Sequence, residues 1–214
     1  MAAKSNFKNM VFCLFATCLV CSAVLAGVYA ITAAPIAETN AKILKTSIGK
    51  VLPEGGEISD AHSIEVGGKP SEYYICSKDG QKVAYAVKSS TVGFSGTLTL
   101  IVGVMADGTV YNTSVYSHSE TPGLGAKCTS DEKFMAQWRN LRPESSEGAK
   151  DGKILKVKKD NGDIDAITAS TITSRAYTLA VKNAVEAVRS LLMGELTETD
   201  ENSNAINERG TSNE

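Results

Sequence analysis

Apolar and polar positions divide the chain into stretches of unlike pattern. From Met10 to Pro35 no residue is charged, a run longer than the roughly 20 residues that cross a bilayer as a helix. Lys4 and Lys8 precede it, as a basic start precedes both signal peptides and anchors. "VYA" at Val28 to Ala30 and "TAA" at Thr32 to Ala34 have the form of cleavage sites. The apolar length exceeds a usual signal-peptide core, so the reading is an uncleaved anchor. Its expected bounds are 10–34, after a cytoplasmic start over 1–9. Either way, the remainder of the chain is expected outside the cytoplasm.

Beyond the anchor, Ile36, Ile43, Leu44, Ile48 and Leu52 recur at helical spacing until Pro53, Gly55 and Gly56 interrupt them, which predicts a connecting helix within 35–56. Short β-type runs follow at Glu72 to Cys76, Lys82 to Ser89, Thr97 to Met105 and Thr109 to Ser117. "KDGQ" and "ADGT" separate two pairs of these runs, and Asp-Gly between β-branched runs is a strong hairpin signal. Thr129 with Glu132 reads as a capping box before a helix carrying Phe134, Met135, Trp138 and Leu141, ended by Pro143. "KILKVKKDNGDIDAIT" predicts another hairpin with Asn161-Gly162 as its turn. Tyr177, Val181, Ala184, Val185, Val188, Leu191 and Leu192 then form one apolar stripe opposite Lys182, Glu186 and Arg189, the mark of an amphipathic helix. Gly194 is placed to stop it, and the acidic tail over 195–214 is expected to be disordered. Strands, an interposed helix, a hairpin and a long final helix predict an α+β fold: an antiparallel-sheet domain over 57–194 behind a transmembrane helix.

Composition narrows the function. A formal net charge of -2 supplies no basic surplus for nucleic acid, so none is expected as a partner. Cys13, Cys18 and Cys21 fall in the apolar run, where thiols behave as small hydrophobes. Cys76 and Cys128 are left for a disulfide or for no special chemistry. With His62 and His118 the only histidines and no metal-ligand spacing, no metal site is expected. No Gly-rich dinucleotide fingerprint or P-loop is present.

Two segments have the composition of a site. "YSHSETPGLGAK", Tyr116 to Lys127, puts His118, Glu120, Thr121 and Lys127 around a Pro-Gly turn, with Gly125 suited to close backbone approach. The same composition also suits an ordinary loop between a strand and a helix. "DAITASTITS", Asp165 to Ser174, crowds hydroxyls at a helix entrance. Unpaired N–H groups and the positive end of the helix dipole stabilise an anion there, phosphate foremost. Thr173 or Ser174 would cap the helix; Thr168, Ser170 and Thr171 are surplus to that need, although threonines also suit strand ends.

Together with "VLPEGG" and "GFSGTLTLIVGVMADGTV", these two segments carry a resemblance that extends from the anchor to the final helix. The sequence resembles the membrane-anchored FMN-binding subunits of the Rnf and Nqr respiratory complexes, and its compact length is more like the G-type subunit of Rnf than the longer C-type subunit of Nqr. In that family a flavin transferase joins FMN through its phosphate to a threonine in the motif Asp-x-x-Ser/Thr-Gly-Ala-Thr/Ser. The resemblance puts Asp165 at the Asp place, Thr168 at the Ser/Thr place, Ala169 at the Gly place, Ser170 at the Ala place and Thr171 at the acceptor. Ala169 and Ser170 depart from the common form, and alanine does not share glycine's freedom at left-handed angles. The resemblance further implies flavin contacts from Glu120, Thr121, Leu124 and Gly125, with Thr168, Ala169 and Ser170 about the phosphate. It implies no catalytic residue, only electron relay through covalent FMN in a complex coupling ferredoxin:NAD oxidoreduction to cation transport. The implied place is the inner membrane, single-pass, beside the other Rnf-type membrane subunits. The competing expectations are an Nqr-type subunit, a stand-alone flavinylated carrier outside the cytoplasm, and a noncatalytic membrane-anchored binding module.

Overall fold

The computed structural model describes residues 7–144 and 152–210, with side chains to residue 194. Two units make up the chain, Met1–Leu44 and Lys45–Glu214. Most of the expected start over 1–9 and the last four residues lie outside the described residues.

Helix α1, Phe7–Val51, begins in the first unit and ends in the second. In the first unit it exposes Phe12, Phe15, Leu19, Val24, Leu25, Val28 and Ile31 with no polar stripe, the pattern of a helix whose solvent is lipid rather than water. It is the one described helix long and apolar enough to cross a membrane. The anchor and the connecting segment, expected as separate elements, fall in this single helix. Pro35 lies inside it, and lacks the N–H that would pair with the Ile31 carbonyl.

The second unit is built on a sheet of six strands: β1 (Glu57–Ile58), β2 (His62–Val66), β3 (Lys69–Lys78), β4 (Gln81–Val92), β5 (Thr97–Met105) and β6 (Val110–His118). All pairs are antiparallel, in the order β1-β3-β4-β5-β6, with β2 also on β3. The four expected β-runs appear as β3 to β6, each close to its expected bounds. Between β3 and β4, Asp79 and Gly80 both have positive φ, 52° and 78°, as the favoured two-residue hairpin turn requires. The β2–β3 hairpin went unread in the sequence; its Gly67-Gly68 pair, with φ of 58° and 75°, was the available signal.

Alternation along β5 explains where the core sits. Leu98, Leu100, Val102 and Val104 point to one face and join a core with Tyr85 and Val87 of β4 and with Tyr177, Ala180, Val181, Ala184, Val185 and Val188 of helix α3. The apolar stripe expected for the final helix is the face it buries. Phe134, Trp138 and Tyr177 meet ring to ring, with centroids 5.0 to 5.8 Å apart. On the opposite face, Ser47, Ile48 and Val51 at the end of α1 are buried. The Asn112 side-chain amide of β6 donates to the Lys50 carbonyl at 2.9 Å.

Four local expectations are corrected. The helix bearing Phe134 is short: α2 spans Glu132–Ala136, because the chain turns at Gln137 and Leu141 pairs its backbone with Val110 instead. Its cap is Asp131, whose carboxylate accepts from the Phe134 N–H at 3.1 Å. Thr129 instead bonds back to the Ala126 carbonyl. The hairpin at Asn161-Gly162 is an irregular loop with a 3-10 turn at Lys158–Asp160. Left-handed Asn161, φ 59°, closes that turn rather than joining two strands. Helix α3, Thr171–Gly210, passes through Gly194; a glycine in a helix costs about 1 kcal/mol and does not by itself end it.

Candidate functional site

Where β6 ends, the chain enters the loop 119–124 and a 3-10 turn at Gly125–Thr129. Glu120 leaves the strand end facing inward and is 5% exposed. One carboxylate oxygen accepts from the Phe94 N–H at 2.8 Å and the other from the Thr173 hydroxyl at 2.7 Å. A single buried carboxylate therefore ties the β4–β5 turn, the β6 loop and the first turn of α3 together. Charge-assisted bonds of this kind are the stronger ones, and the acid lies near the positive end of the α3 dipole. The packing leaves no room for a methyl group at Gly93 or Gly125: each would overlap a Glu120 carboxylate oxygen, and at Gly125 it would come within 2.6 Å of the Thr173 hydroxyl. The Ser95 and Thr121 hydroxyls pair at 3.0 Å, and the Leu124 and Ala126 N–H groups both donate to the Thr121 carbonyl. His118 accepts from the Glu120 N–H through Nδ1, so it braces the loop.

The hydroxyl-rich segment approaches from the other side. Gln137 holds Asp165 by its backbone, accepting from its N–H at 3.0 Å and donating to its carbonyl at 3.1 Å. Lys158 pairs with the Asp165 carboxylate at 2.9 Å, which holds that carboxyl below the usual range. The Ser170 N–H then donates to the Ile167 carbonyl, closing a four-residue turn with Ala169 third at φ 62°. Positive φ at that place belongs to a type II turn and favours Gly. Ala169 thus adopts the left-handed angle that glycine takes without strain, at a cost of about 1–2 kcal/mol.

Helix α3 starts at Thr171, and its first intrahelical bond runs from the Ser174 N–H to the Ser170 carbonyl. That puts Ser170, rather than Thr173 or Ser174, at the cap position. The two expected caps are engaged elsewhere: Thr173 with Glu120, and Ser174 accepting from the Ile167 N–H while donating to the Ser170 carbonyl. The Ser170 hydroxyl itself is buried and has no hydrogen-bond partner among the described residues.

Between the two segments lies a cavity of about 330 Å³, lined by Phe94, Glu120, Thr121, Leu124, Gly125, Ala169, Ser170, Thr171, Ile172 and Thr173. Seven residues singled out in the sequence meet here: Glu120, Thr121, Leu124, Gly125, Ala169, Ser170 and Thr171. Thr168, the eighth, is exposed and outside the lining. Phe94 and Ile172 went unread; both present exposed apolar side chains at the cavity. Gly93 and Gly96, which frame Phe94 in a tight turn closed by Gly93 N–H to Gly96 C=O at 2.8 Å, were the signal for it. The lining combines apolar surface for a planar ring with helix-start N–H groups for an anion, the two needs of a flavin mononucleotide.

Comparison with known proteins agrees with this geometry. The FMN-binding domain family matches residues 93–186, a span that contains every residue of the cavity. Over 197 residues, covering 90% of this chain and 99% of the relative, the chain is 33% identical to the G-type subunit of the proton-translocating ferredoxin:NAD(+) oxidoreductase complex of Clostridium ljungdahlii. It belongs to the family of G-type subunits of ion-translocating oxidoreductase complexes. Other members are similar as well: that of Vibrio cholerae is 34% identical over 79% of this chain and 84% of its own length. The Erwinia tasmaniensis protein is 40% identical over 57% of each chain. Membership of this family bears out the Rnf type over the Nqr type, as the length of the chain also favoured.

Proposed function

We propose that this protein is the electron-transfer subunit of an Rnf-type complex, carrying FMN joined through its phosphate to Thr171, and that a flavin transferase makes the bond. The FMN domain stands on the extracytoplasmic side, and the complex couples ferredoxin:NAD oxidoreduction to cation transport. The observation that carries the reading is the cavity, which joins the Glu120 loop to the hydroxyl-rich start of α3 in a chain of the G-type family. Bound there, the flavin supplies the redox chemistry. The protein's part is placement. Leu124, Phe94 and Ile172 offer apolar cover to the ring, and Glu120 fixes the three walls through Phe94 and Thr173. The N–H groups of Thr171, Ile172 and Thr173 precede the first intrahelical bond and would hold an anion bound at the helix start. Thr171 is half-buried and lines the cavity, reachable by a transferase and placed at the phosphate end of the site. No side chain needs to move a proton for this relay.

The test is flavin fluorescence of the denatured chain after co-expression with a flavin transferase. Wild type is expected to retain the fluorescence, Thr171→Ala to lose it and Thr171→Ser to keep part of it. Fluorescence persisting in Thr171→Ala, with a flavin mass on the Ser170 side chain, would transfer the attachment to Ser170.

A further inference from the structure

We propose that Lys159 and Ser170 form a dedicated seat for the phosphate at the start of α3, Lys159 supplying the countercharge and Ser170 a buried hydrogen bond. The inference rests on the functional reading above and adds the two side chains that hold the anion. Three observations on different elements converge. Lys159 Nζ, from the 3-10 turn at Lys158–Asp160, donates to Thr171 Oγ1 at 3.2 Å. Ser170 lines the same cavity and is 6% exposed, and its buried hydroxyl is one of three buried side-chain groups without a partner among the described residues. A buried hydroxyl left unpaired is costly, and a phosphate oxygen is an acceptor that would relieve it. The helix start adds three N–H groups without intrahelical acceptors.

Charge placement makes Lys159 the countercharge. Among the described residues, the acids of the neighbouring segment are engaged by other groups: Asp160 by Arg175 through two bonds of 2.7 and 2.6 Å, Asp165 by Lys158, and Asp163 by the Ile154 N–H at 2.7 Å. Glu120, on the far wall, has both oxygens occupied. Lys159 is aimed at a neutral hydroxyl, with no carboxylate partner among the described residues, an arrangement that suits the arrival of an anion there. A phosphodiester on Thr171 carries one negative charge, which one ammonium neutralises. Ser170 stands where the family motif has Ala, so its hydroxyl is an additional donor that this chain brings to the anion.

The experiment is phosphorus-31 NMR on the full chain, purified in detergent after co-expression with a flavin transferase, for wild type, Lys159→Met, Lys159→Arg and Ser170→Ala. Loading is read from denatured-state fluorescence and folding from thermal melts. In wild type the phosphodiester resonance is expected well away from its position in the urea-unfolded chain. Lys159→Met is expected to move it more than halfway back, Lys159→Arg to leave it near wild type and Ser170→Ala to displace it by a smaller step. Loss of flavin in Lys159→Met alone, with an intact melt and with flavin kept in Lys159→Arg, also supports the seat, since charge is then needed during loading. A resonance unmoved in Lys159→Met and Ser170→Ala overturns it, as does equal loss of flavin in both Lys159 variants. A wild type with no flavin would overturn the functional reading itself, an outcome distinct from failure of the seat.

Discussion

At the residue scale, Ala169 and Ser170, the two positions that depart from the motif the resemblance implies, carry the most information. Ala169 holds φ 62° because the Ile167–Ser170 turn must close before α3 starts, and the buried bonds of Ser174 to Ile167 and Ser170 hold that turn shut. Relief of left-handed strain by about 1–2 kcal/mol, less about 0.5–1 kcal/mol for glycine's chain entropy, predicts that Ala169→Gly gains up to about 1.5 kcal/mol. A domain of this size should then melt about 2–4 °C higher per kcal/mol, measured by circular dichroism. Ser170 is the second departure, and its unpartnered hydroxyl would pass unnoticed in the sequence as one more serine in a serine- and threonine-rich stretch.

At the element scale, the end of α1 is the feature most sensitive to a small change. Gly103 of β5 lies under the Val51 carbonyl, and a methyl at Gly103 would overlap that oxygen and crowd the Val51 side chain. Gly49, two residues earlier in the helix, faces open space. The same substitution is therefore predicted to have opposite signs. Gly103→Ala should lower stability by about 1–3 kcal/mol, as overpacking does, whereas Gly49→Ala should raise it by up to about 1 kcal/mol through helix propensity. Urea denaturation of the two variants checks both. Elements with strong local signals were legible in the sequence: β3 to β6 follow from β-type runs and Asp-Gly turns, and the buried stripe of α3 from helical spacing. Segments 129–141 and 153–168 were misread, because Leu141 and Ile164 satisfy their backbones with Val110, Lys156 and Lys158 rather than with a local helix or hairpin. Local propensity carries no information about such irregular pairings.

For the whole molecule, the core beneath the site titrates on the alkaline side. Burial pushes the Cys128 thiol up to about 11, the charge of Glu120 adding to the effect. Burial also pushes the Tyr177 hydroxyl above its usual range, against a bond to Thr113 of 2.7 Å. In the unfolded chain the Cys128 thiol ionises near 9.0. Both groups are acids with raised folded values, so their contribution is complete below the unfolded values and is lost as pH rises through the folded ones. The thermal midpoint is expected to fall from about pH 9 upward. Cys128→Ala should flatten the first part of that fall while leaving the share of Tyr177; an unchanged profile in this variant would show that the thiol is not coupled to folding.

The sequence by itself determined the apolar anchor segment, the α+β class, the antiparallel strands and two of the segments that build the site. Each is a property of local pattern: charge-free length, β-type runs, helical spacing and turn residues. Only the tertiary structure decided that Glu120 is a buried tie between three elements, that Phe94 and Ile172 join the cavity while Thr168 lies outside it, and that Lys159 reaches Thr171. Those relations join residues as far apart as Phe94 and Thr173. They arise because sheet register and the packing of α3 bring distant segments together, and because a buried polar atom accepts whichever partner that packing delivers.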